Sequence, residues 1–334
     1  MAVRIGFHGF GRIGRSVFRV LYGRKDFDVR VITDVAPPDN LVYLLNFDTI
    51  QGRFQEEVSQ GNGHLFVGGR AIPLVHSKEP GEVRWRDYDV DVVVEASGQY
   101  RTSKLLERHL EAGARRVILT VPPRDAETGV FCVGVNDHEI DRTHKIISNA
   151  SCTSNALALV TQVLDEAFGL VRGSMTTVHA YTNDLRLADV PHHEIRRSRA
   201  AAENIIPSRT YAVKVVCDLL PHLQGRLSGM ALNVPVPDGS VIDLTCRMRR
   251  PVSREEVNGA MESAARSRLK GVLEYSTQPV VSSDVIGNKH SAVFDSLMTN
   301  VLDGQLVKTI TWYDNGWGYA NRVVDLITRM AATL

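Results

Sequence analysis

A glycine-rich turn between a short strand and a helix is the feature that most constrains this chain. Residues 3–7 form a β-branched apolar run, and Gly9, Gly11 and Gly14 follow it in a G-x-G-x-x-G pattern. The next residues, SVFRVLYGR, repeat apolar positions at helical spacing. A second strand, VRVIT, then ends at Asp34. Strand, glycine turn, helix, strand and acid in this order predict a βαβ unit that binds a dinucleotide.

The residue types of this unit suit a pyrophosphate and a ribose. Glycines let the backbone approach a pyrophosphate, which lies at the helix N-terminus where backbone N–H groups are unpaired. The carboxylate of Asp34 accepts hydrogen bonds from ribose hydroxyls and would repel a 2′-phosphate, so we expect NAD rather than NADP. The alternative is a glycine-rich turn that binds no nucleotide.

The rest of the chain predicts an α/β fold in two parts. Apolar runs at 90–97 and 116–121 are typical of buried parallel strands, and an amphipathic helix ending near Gly113 separates them. We therefore expect an N-terminal Rossmann-type doubly wound sheet. From about residue 170 the strands become longer and alternate in polarity. This pattern predicts a second, α+β domain with a mostly antiparallel or mixed sheet.

Charge and cysteine content narrow the class of protein. The 334 residues carry 39 Lys and Arg against 38 Asp and Glu, so no basic footprint for nucleic acid or an anionic membrane is present. No apolar run reaches the roughly 18 residues of a spanning helix, and the first residues do not resemble a signal peptide. Four cysteines fit a reducing compartment. We expect a cytoplasmic protein with no nucleic-acid or membrane partner.

Cys152 is a candidate nucleophile because of its place in a predicted helix. An apolar-periodic helix follows it and ends at Gly169, so Ser151 lies near the N-cap and Cys152 in the first turn. The helix end favours a thiolate, and we expect a lowered pKa for this thiol. Taken alone, a small buried hydrophobic cysteine is the commoner case. His179 lies in a strand-like segment, and neither its spacing nor its propensity shows whether it lies beside Cys152.

Several longer motifs carry a resemblance to a known family. They are GFGRIGR at 9–15, SNASCTSN around Cys152, TTVHAYTND around His179, RAAAENIIP at 199–207 and WYDNGWGYANRVVDLI at 312–327. With these motifs, the chain resembles phosphorylating glyceraldehyde-3-phosphate dehydrogenases along essentially its whole length. The resemblance implies that Cys152 attacks an aldehyde, that His179 acts as base, and that a thioester forms as hydride passes to NAD.

The resemblance also implies binding residues for the cofactor and for two phosphate groups. The cofactor positions are Gly9, Gly11, Arg12, Ile13, Gly14, Asp34, Lys78, Thr120 and Asn315. Asn315 would hold the nicotinamide carboxamide. The substrate and phosphate positions are Ser151, Thr153, Thr182, Arg197, Arg209, Thr210, Tyr211 and Asn233. No metal site is expected.

Two of the substrate positions depart from the family pattern. Asn233 stands where the family carries an arginine beside the substrate phosphate, and Tyr211 stands where it carries a glycine. Arg209 is a new cation nearby that could restore the charge. His8 also replaces the usual asparagine before the glycine loop. Loss of a charge-assisted contact predicts tenfold to hundredfold weaker binding of a phosphorylated aldehyde, at about 1.5–3 kcal/mol.

Three interpretations of the function therefore stay open. The first is an ordinary phosphorylating dehydrogenase for glyceraldehyde 3-phosphate. The second is a relative that oxidises another aldehyde, such as erythrose 4-phosphate, a phosphonate or an unphosphorylated compound. The third is a non-catalytic NAD-binding regulatory paralogue. The resemblance further implies a homotetramer, an NAD domain over 1–151 that the helix 317–334 rejoins, and a catalytic domain over 152–316.

Overall fold

The computed structural model describes residues 2–334, which form mixed α/β structure. Seven helices occur in this range: α1 Arg12–Leu21, α2 Pro38–Asn46, α3 Ser103–Glu111, α4 Cys152–Phe168, α5 Ala212–Leu219, α6 Arg254–Arg266 and α7 Trp317–Ala331. The strands are β1 Val3–His8, β2 Phe27–Asp34, β3 Phe47–Asp48, β4 Gly52–Arg53, β5 Val58–Gly61, β6 His64–Val67, β7 Arg70–His76, β8 Val92–Glu95, β9 Arg116–Leu119, β10 Gly129–Val130, β11 Ile146–Ser148, β12 Leu170–Ala180, β13 Ile206–Ser208, β14 Leu227–Val234, β15 Ser240–Met248, β16 Leu273–Ser276, β17 Ala292–Leu302 and β18 Leu306–Tyr313. Short 3₁₀ turns lie at Trp85–Tyr88, Asp137–Glu139, Ile195–Ser198, Pro221–Leu223 and Ser282–Val285.

The described chain divides into two compact units. One comprises the residues up to Phe131, Asn136–Ala150 and Ala320–Leu334, and the other comprises Cys132–Val135 and Ser151–Tyr319. No helix in residues 2–334 combines the length and the apolar character that crossing a membrane requires.

The first unit is built on a nine-stranded sheet in the order β10-β11-β9-β8-β1-β2-β7-β6-β5. Its strands from β10 to β7 run parallel, and β5 and β6 add an antiparallel edge. Every residue of β8 and β9 is buried, as expected for central parallel strands covered on both faces. The predicted doubly wound sheet is confirmed, with the glycine loop directly after its central strand β1.

The second unit is built on a seven-stranded sheet in the order β13-β14-β12-β15-β18-β17-β16. The sheet is mixed: β12 pairs with β14 in parallel, and β12, β15, β18 and β17 pair successively in antiparallel fashion. Helix α4 packs against this sheet and against α5 and α6. The predicted mostly antiparallel or mixed sheet is confirmed, and its strands β12, β14, β15 and β18 carry the polar residues considered below.

Candidate active site

Each of the three glycines in the loop after β1 has a different structural role. Gly9 adopts φ +91°, and a Cβ there would lie 2.5 Å from the backbone nitrogen of Ser97. A Cβ on Gly14 would lie 2.5 Å from the carbonyl oxygen of Gly9. Nothing lies within 4 Å of a Cβ placed on Gly11, so the middle position leaves open space. Such a loop fits a dinucleotide, since the outer glycines permit the tight turn and the middle one leaves room for the pyrophosphate.

Helix α1 begins directly after this open position. Gly11 is its N-cap and supplies no side-chain hydrogen bond to the first turn, which Arg12 and Ile13 begin. Both residues are half-buried. Backbone N–H groups at the first turn of a helix are suitable donors for a phosphate group.

Asp34 ends β2 and is tied to the glycine loop. Its carboxylate accepts hydrogen bonds from the backbone N–H of Phe10 at 2.6 Å and of Ala36 at 2.8 Å. Thr120 follows β9 and is buried, and its hydroxyl donates to the carbonyl of Glu95 at 3.1 Å. Lys78 is exposed in the loop after β7. Asp34 and Thr120 therefore both lie at the carboxyl ends of parallel strands, at the edge of the sheet where the glycine loop lies.

A buried polar cluster around Glu95 was not foreseen from the sequence. His109 lies 3.0 Å from Glu95 through its Nε2, and Trp85 donates its indole N–H to Nδ1 of His109 at 3.0 Å. His8 contacts the Thr33 hydroxyl at 3.0 Å and lies 3.8 Å from Glu95. Because the Trp85 donor occupies Nδ1, Nε2 of His109 carries the proton and donates to Glu95. This tautomer suits a hydrogen-bonded network and not a metal ligand.

Cys152 is the first residue of α4, as predicted. Ser151 is the N-cap, and its hydroxyl accepts a hydrogen bond from the backbone N–H of Ser154 at 3.1 Å. Gly169 ends the helix at φ +72°. The thiol is thereby held at the N-terminal end of a 17-residue helix, on the side where backbone N–H groups point.

His179 lies next to this thiol. Its Nε2 is 3.6 Å from the sulfur of Cys152, and its Nδ1 is 2.6 Å from the carbonyl oxygen of Ala180. A carbonyl only accepts hydrogen bonds, so Nδ1 carries the proton and Nε2 offers a lone pair to the thiol. The pair therefore has the geometry of a nucleophile and its base.

The expectation of a lowered thiol pKa is wrong. Cys152 keeps partial exposure, but protein atoms crowd the sulfur, and this burial raises the pKa of the Cys152 thiol to about 11. Hydrogen bonds from Thr153 lower the pKa, whereas the negative charge of Asp238 raises it further. Desolvation thus outweighs the helix N-terminus, and the resting group is a thiol whose proton His179 is placed to accept.

A chain of buried hydroxyl groups begins at Thr153, which hydrogen-bonds the thiol, and sequence reasoning missed it. The Tyr313 hydroxyl lies 2.8 Å from the hydroxyls of both Thr153 and Thr177, and all three residues are buried. Burial raises the pKa of Tyr313, so it stays a neutral phenol. Tyr313 directly precedes the Asp-Asn pair of the C-terminal motif, but nothing in the sequence joins it to Thr153, which lies 160 positions earlier.

Asn315 is fixed by buried polar partners. Its side-chain oxygen accepts a hydrogen bond from Ser240 at 3.1 Å, and its backbone N–H donates to Asp238 at 3.2 Å. Asn315 is 7% exposed and Asp238 is fully buried. The amide is thus held in one orientation rather than serving as a mobile turn residue.

Of the residues expected at the anion sites, Thr182 and Arg197 share a common partner, Asp184. The Thr182 hydroxyl donates to Asp184, and Arg197 pairs with the same carboxylate at 2.8 Å. Burial would raise the pKa of Asp184, but the Thr182 hydrogen bond and the Arg197 charge outweigh it and lower that pKa. Two of the expected phosphate ligands thus share a carboxylate of this chain.

The two departures from the family pattern differ in their surroundings. Asn233 is 6% exposed, and its side-chain oxygen accepts a hydrogen bond from Ser208 at 2.8 Å. Tyr211, the N-cap of α5, is 70% exposed, so its ring points away from the core. Arg209 is also exposed, and the Thr210 hydroxyl accepts from the backbone N–H of Ala212 at 3.2 Å.

Comparison with known proteins agrees with this arrangement. The family model described as "Glyceraldehyde 3-phosphate dehydrogenase, NAD binding domain" matches residues 3–103, and the model for the C-terminal domain matches 151–315. The chain is 46% identical to the glyceraldehyde-3-phosphate dehydrogenase of Mycobacterium avium, with all of both chains covered. It belongs to the glyceraldehyde-3-phosphate dehydrogenase family.

Other members of the family match over the same length. The Geobacillus stearothermophilus enzyme is 46% identical with 99% of both chains covered. Glyceraldehyde-3-phosphate dehydrogenase 2 of Bacillus subtilis is 47% identical, with all of this chain and 98% of the relative covered. Membership of the glyceraldehyde-3-phosphate dehydrogenase family makes this chain an NAD-dependent oxidoreductase, and the predictions of family, fold and cofactor are confirmed.

Proposed function

We propose that this protein oxidises an aldehyde through a thioester on Cys152 and then transfers the acyl group to inorganic phosphate. The observation that carries the proposal is the 3.6 Å contact between the Cys152 sulfur and Nε2 of His179. The Ala180 carbonyl holds the proton of that ring on Nδ1, so the nitrogen that faces the sulfur is basic.

The proton of the thiol moves first. His179 accepts it as the sulfur attacks the carbonyl carbon and the C–S bond forms, and His179 then returns this proton to the carbonyl oxygen, which becomes a hydroxyl. His179 next accepts the hydroxyl proton while the C–H bond breaks and the carbonyl of the thioester forms. Thr153 and Tyr313 assist by hydrogen bonding around the sulfur without adding charge.

The proposed cofactor residues would each hold a different part of NAD. When bound, NAD supplies the acceptor for the hydride. The pyrophosphate would be held by the first turn of α1 and by the glycine loop of Gly9, Gly11 and Gly14. The carboxylate of Asp34 would bind the adenosine ribose. Lys78 and Thr120 would make additional contacts with the cofactor. Asn315, fixed by Ser240, would orient the carboxamide.

The second half-reaction needs a site for the attacking phosphate. We assign Ser151, Thr153, Thr182, Arg197 and Thr210 to the binding of anionic groups, since hydroxyls and a guanidinium are suitable donors. The Asp184 carboxylate competes for Thr182 and Arg197, so a bound anion must displace or share it. The acyl group leaves as an acyl phosphate, and the proton held by His179 returns to the sulfur.

The direct test is NADH formation over a panel of aldehydes, with and without phosphate or arsenate. The proposal expects one equivalent of NADH per subunit without either anion, and turnover when one of them is added. NAD binding with no NADH from any aldehyde would instead support a non-catalytic paralogue. An unchanged rate in the absence of both anions would mean that water resolves the thioester.

We further propose a cytoplasmic homotetramer. A reactive thiol at position 152 requires a reducing compartment. The segment after β12 exposes large apolar side chains, with Leu187 86% and Ile195 87% exposed. Exposed apolar side chains clustered in one segment favour burial against another subunit.

Charge placed on this segment is expected to break the assembly. The Leu187→Asp/Ile195→Asp variant should run as dimers or monomers in light scattering coupled to size exclusion, because carboxylates would be desolvated at the subunit contact. Tyr43→Asp is the matched control, since Tyr43 is 62% exposed on α2 of the other unit. A double variant with the mass of the parent protein would contradict the proposed contact.

A further inference from the structure

One face of the seven-stranded sheet carries both His179 and Asn233. His179 of β12 pairs in parallel register with Asn233 of β14, which in turn pairs with Ile206 of β13. Directly paired residues of neighbouring strands project from the same face of a sheet. Asn233 and His179 are therefore side by side, and Ser208 follows two residues along the same face.

We infer that the preferred substrate is an unphosphorylated hydroxyaldehyde, which the amide of Asn233 recognises beside Cys152 and His179. The inference rests on the proposed function and names its substrate class. An amide and hydroxyls match the donors and acceptors of a neutral polyol, whereas a phosphate group requires charge-assisted donors.

The hydrogen-bonding state of Asn233 supports this recognition. Its side-chain oxygen is occupied by the Ser208 hydroxyl at 2.8 Å, which fixes the orientation of the amide. The amide nitrogen is then the group of Asn233 that can donate to a ligand. Its donors are neutral, so they satisfy a substrate hydroxyl but compensate poorly for a dianion.

The nearby charges also disfavour a phosphorylated substrate. Asp238 is fully buried, and its negative charge acts on Cys152. Arg197 is engaged by Asp184 at 2.8 Å and by Glu194 at 3.8 Å. Arg209 is exposed to solvent, where a single charge contributes little to binding.

The test compares D-glyceraldehyde with D-glyceraldehyde 3-phosphate, which differ only in the phosphoryl group. With saturating NAD and arsenate, kcat/KM should be higher for D-glyceraldehyde. A higher kcat/KM for the phosphorylated aldehyde would overturn the inference and leave the proposed function intact. Activity with neither aldehyde, together with no acylation of Cys152, would contradict both.

A charge placed at Asn233 should reverse the preference. In Asn233→Arg, the KM for D-glyceraldehyde 3-phosphate should fall by about tenfold to a hundredfold, the range expected for a charged hydrogen bond, while kcat changes less. Met230→Arg is the matched control because Met230 lies on the opposite face of β14 and is 42% exposed. An equal fall of KM in both variants would show that net charge, and not this face, sets the preference. If Asn233→Arg does not fold, the comparison of the two aldehydes with the parent protein still tests the inferred substrate preference.

Discussion

In the Cys152→Ser variant, we expect NADH formation from every aldehyde to fall on the order of 10³-fold or more, with NAD binding retained. A serine hydroxyl is a weaker nucleophile than a thiol and cannot form the thioester that the proposed route requires. The helix start stays intact, since Ser151 and not residue 152 supplies the cap. Stopped-flow absorbance of NADH measures the loss, and equilibrium titration measures NAD binding.

The control for this variant is Cys217→Ser. Cys217 is buried in α5 and its thiol donates to the carbonyl of Leu223 at 3.6 Å, a hydrogen bond that a hydroxyl can also make. This variant should keep the single-turnover burst. A burst of parental size in Cys152→Ser would remove Cys152 from the role of nucleophile.

The His179→Asn variant is expected to lose about 10²–10⁴-fold in rate at neutral pH and to recover part of it as pH rises. Burial raises the pKa of the Cys152 thiol to about 11, so without a base the thiolate fraction grows about tenfold for each pH unit below that value. The rate of the parent protein should rise less steeply with pH, because His179 removes the proton of the thiol during the attack. Single-turnover rates between pH 7 and 10 measure the difference.

His64→Asn is the matched control for the histidine change. His64 begins β6 in the other unit, and its Nδ1 contacts the carbonyl of Asn62 at 2.8 Å. The control should keep the parental rate and pH profile. Parallel pH profiles for His179→Asn and the parent protein would mean that His179 does not act on the thiol proton.

Local features of the fold were predictable because each depends on neighbours in sequence. The glycine loop after β1 is required by backbone geometry at Gly9 and by close packing at Gly14. The start of α4 follows from the cap at Ser151 and the apolar period after it. The positive φ of Gly9, the close contact of Gly14 with Gly9 and the cap at Ser151 all involve residues a few positions apart, so the sequence alone predicts them.

The chemistry of the site depends on contacts between distant residues, which the sequence does not reveal. His179 reaches Cys152 only because the fold brings β12 against α4, and Tyr313 reaches Thr153 from the end of β18. The thiol pKa was mispredicted for the same reason. The helix end is a local effect, whereas burial of the sulfur is produced by the tertiary structure.

The altered substrate positions, Asn233 and Tyr211, could be predicted from the sequence only in part. The sequence shows an uncharged residue at Asn233 and a bulky one at Tyr211, which predicts weaker phosphate binding. It does not show that Ser208 fixes the Asn233 amide or that Tyr211 turns outward to 70% exposure. Both facts depend on the register of β13 with β14 and on the entry into α5.

The proposed reaction depends on a thioester on Cys152, which rapid-quench mass spectrometry of the parent protein detects. The protein is mixed with NAD and D-glyceraldehyde without phosphate or arsenate, quenched in acid within one turnover and digested. We expect one acyl group on the peptide that contains Cys152, in proportion to the NADH formed. NADH produced without acylation of this peptide, or acylation of another cysteine in its place, would contradict it.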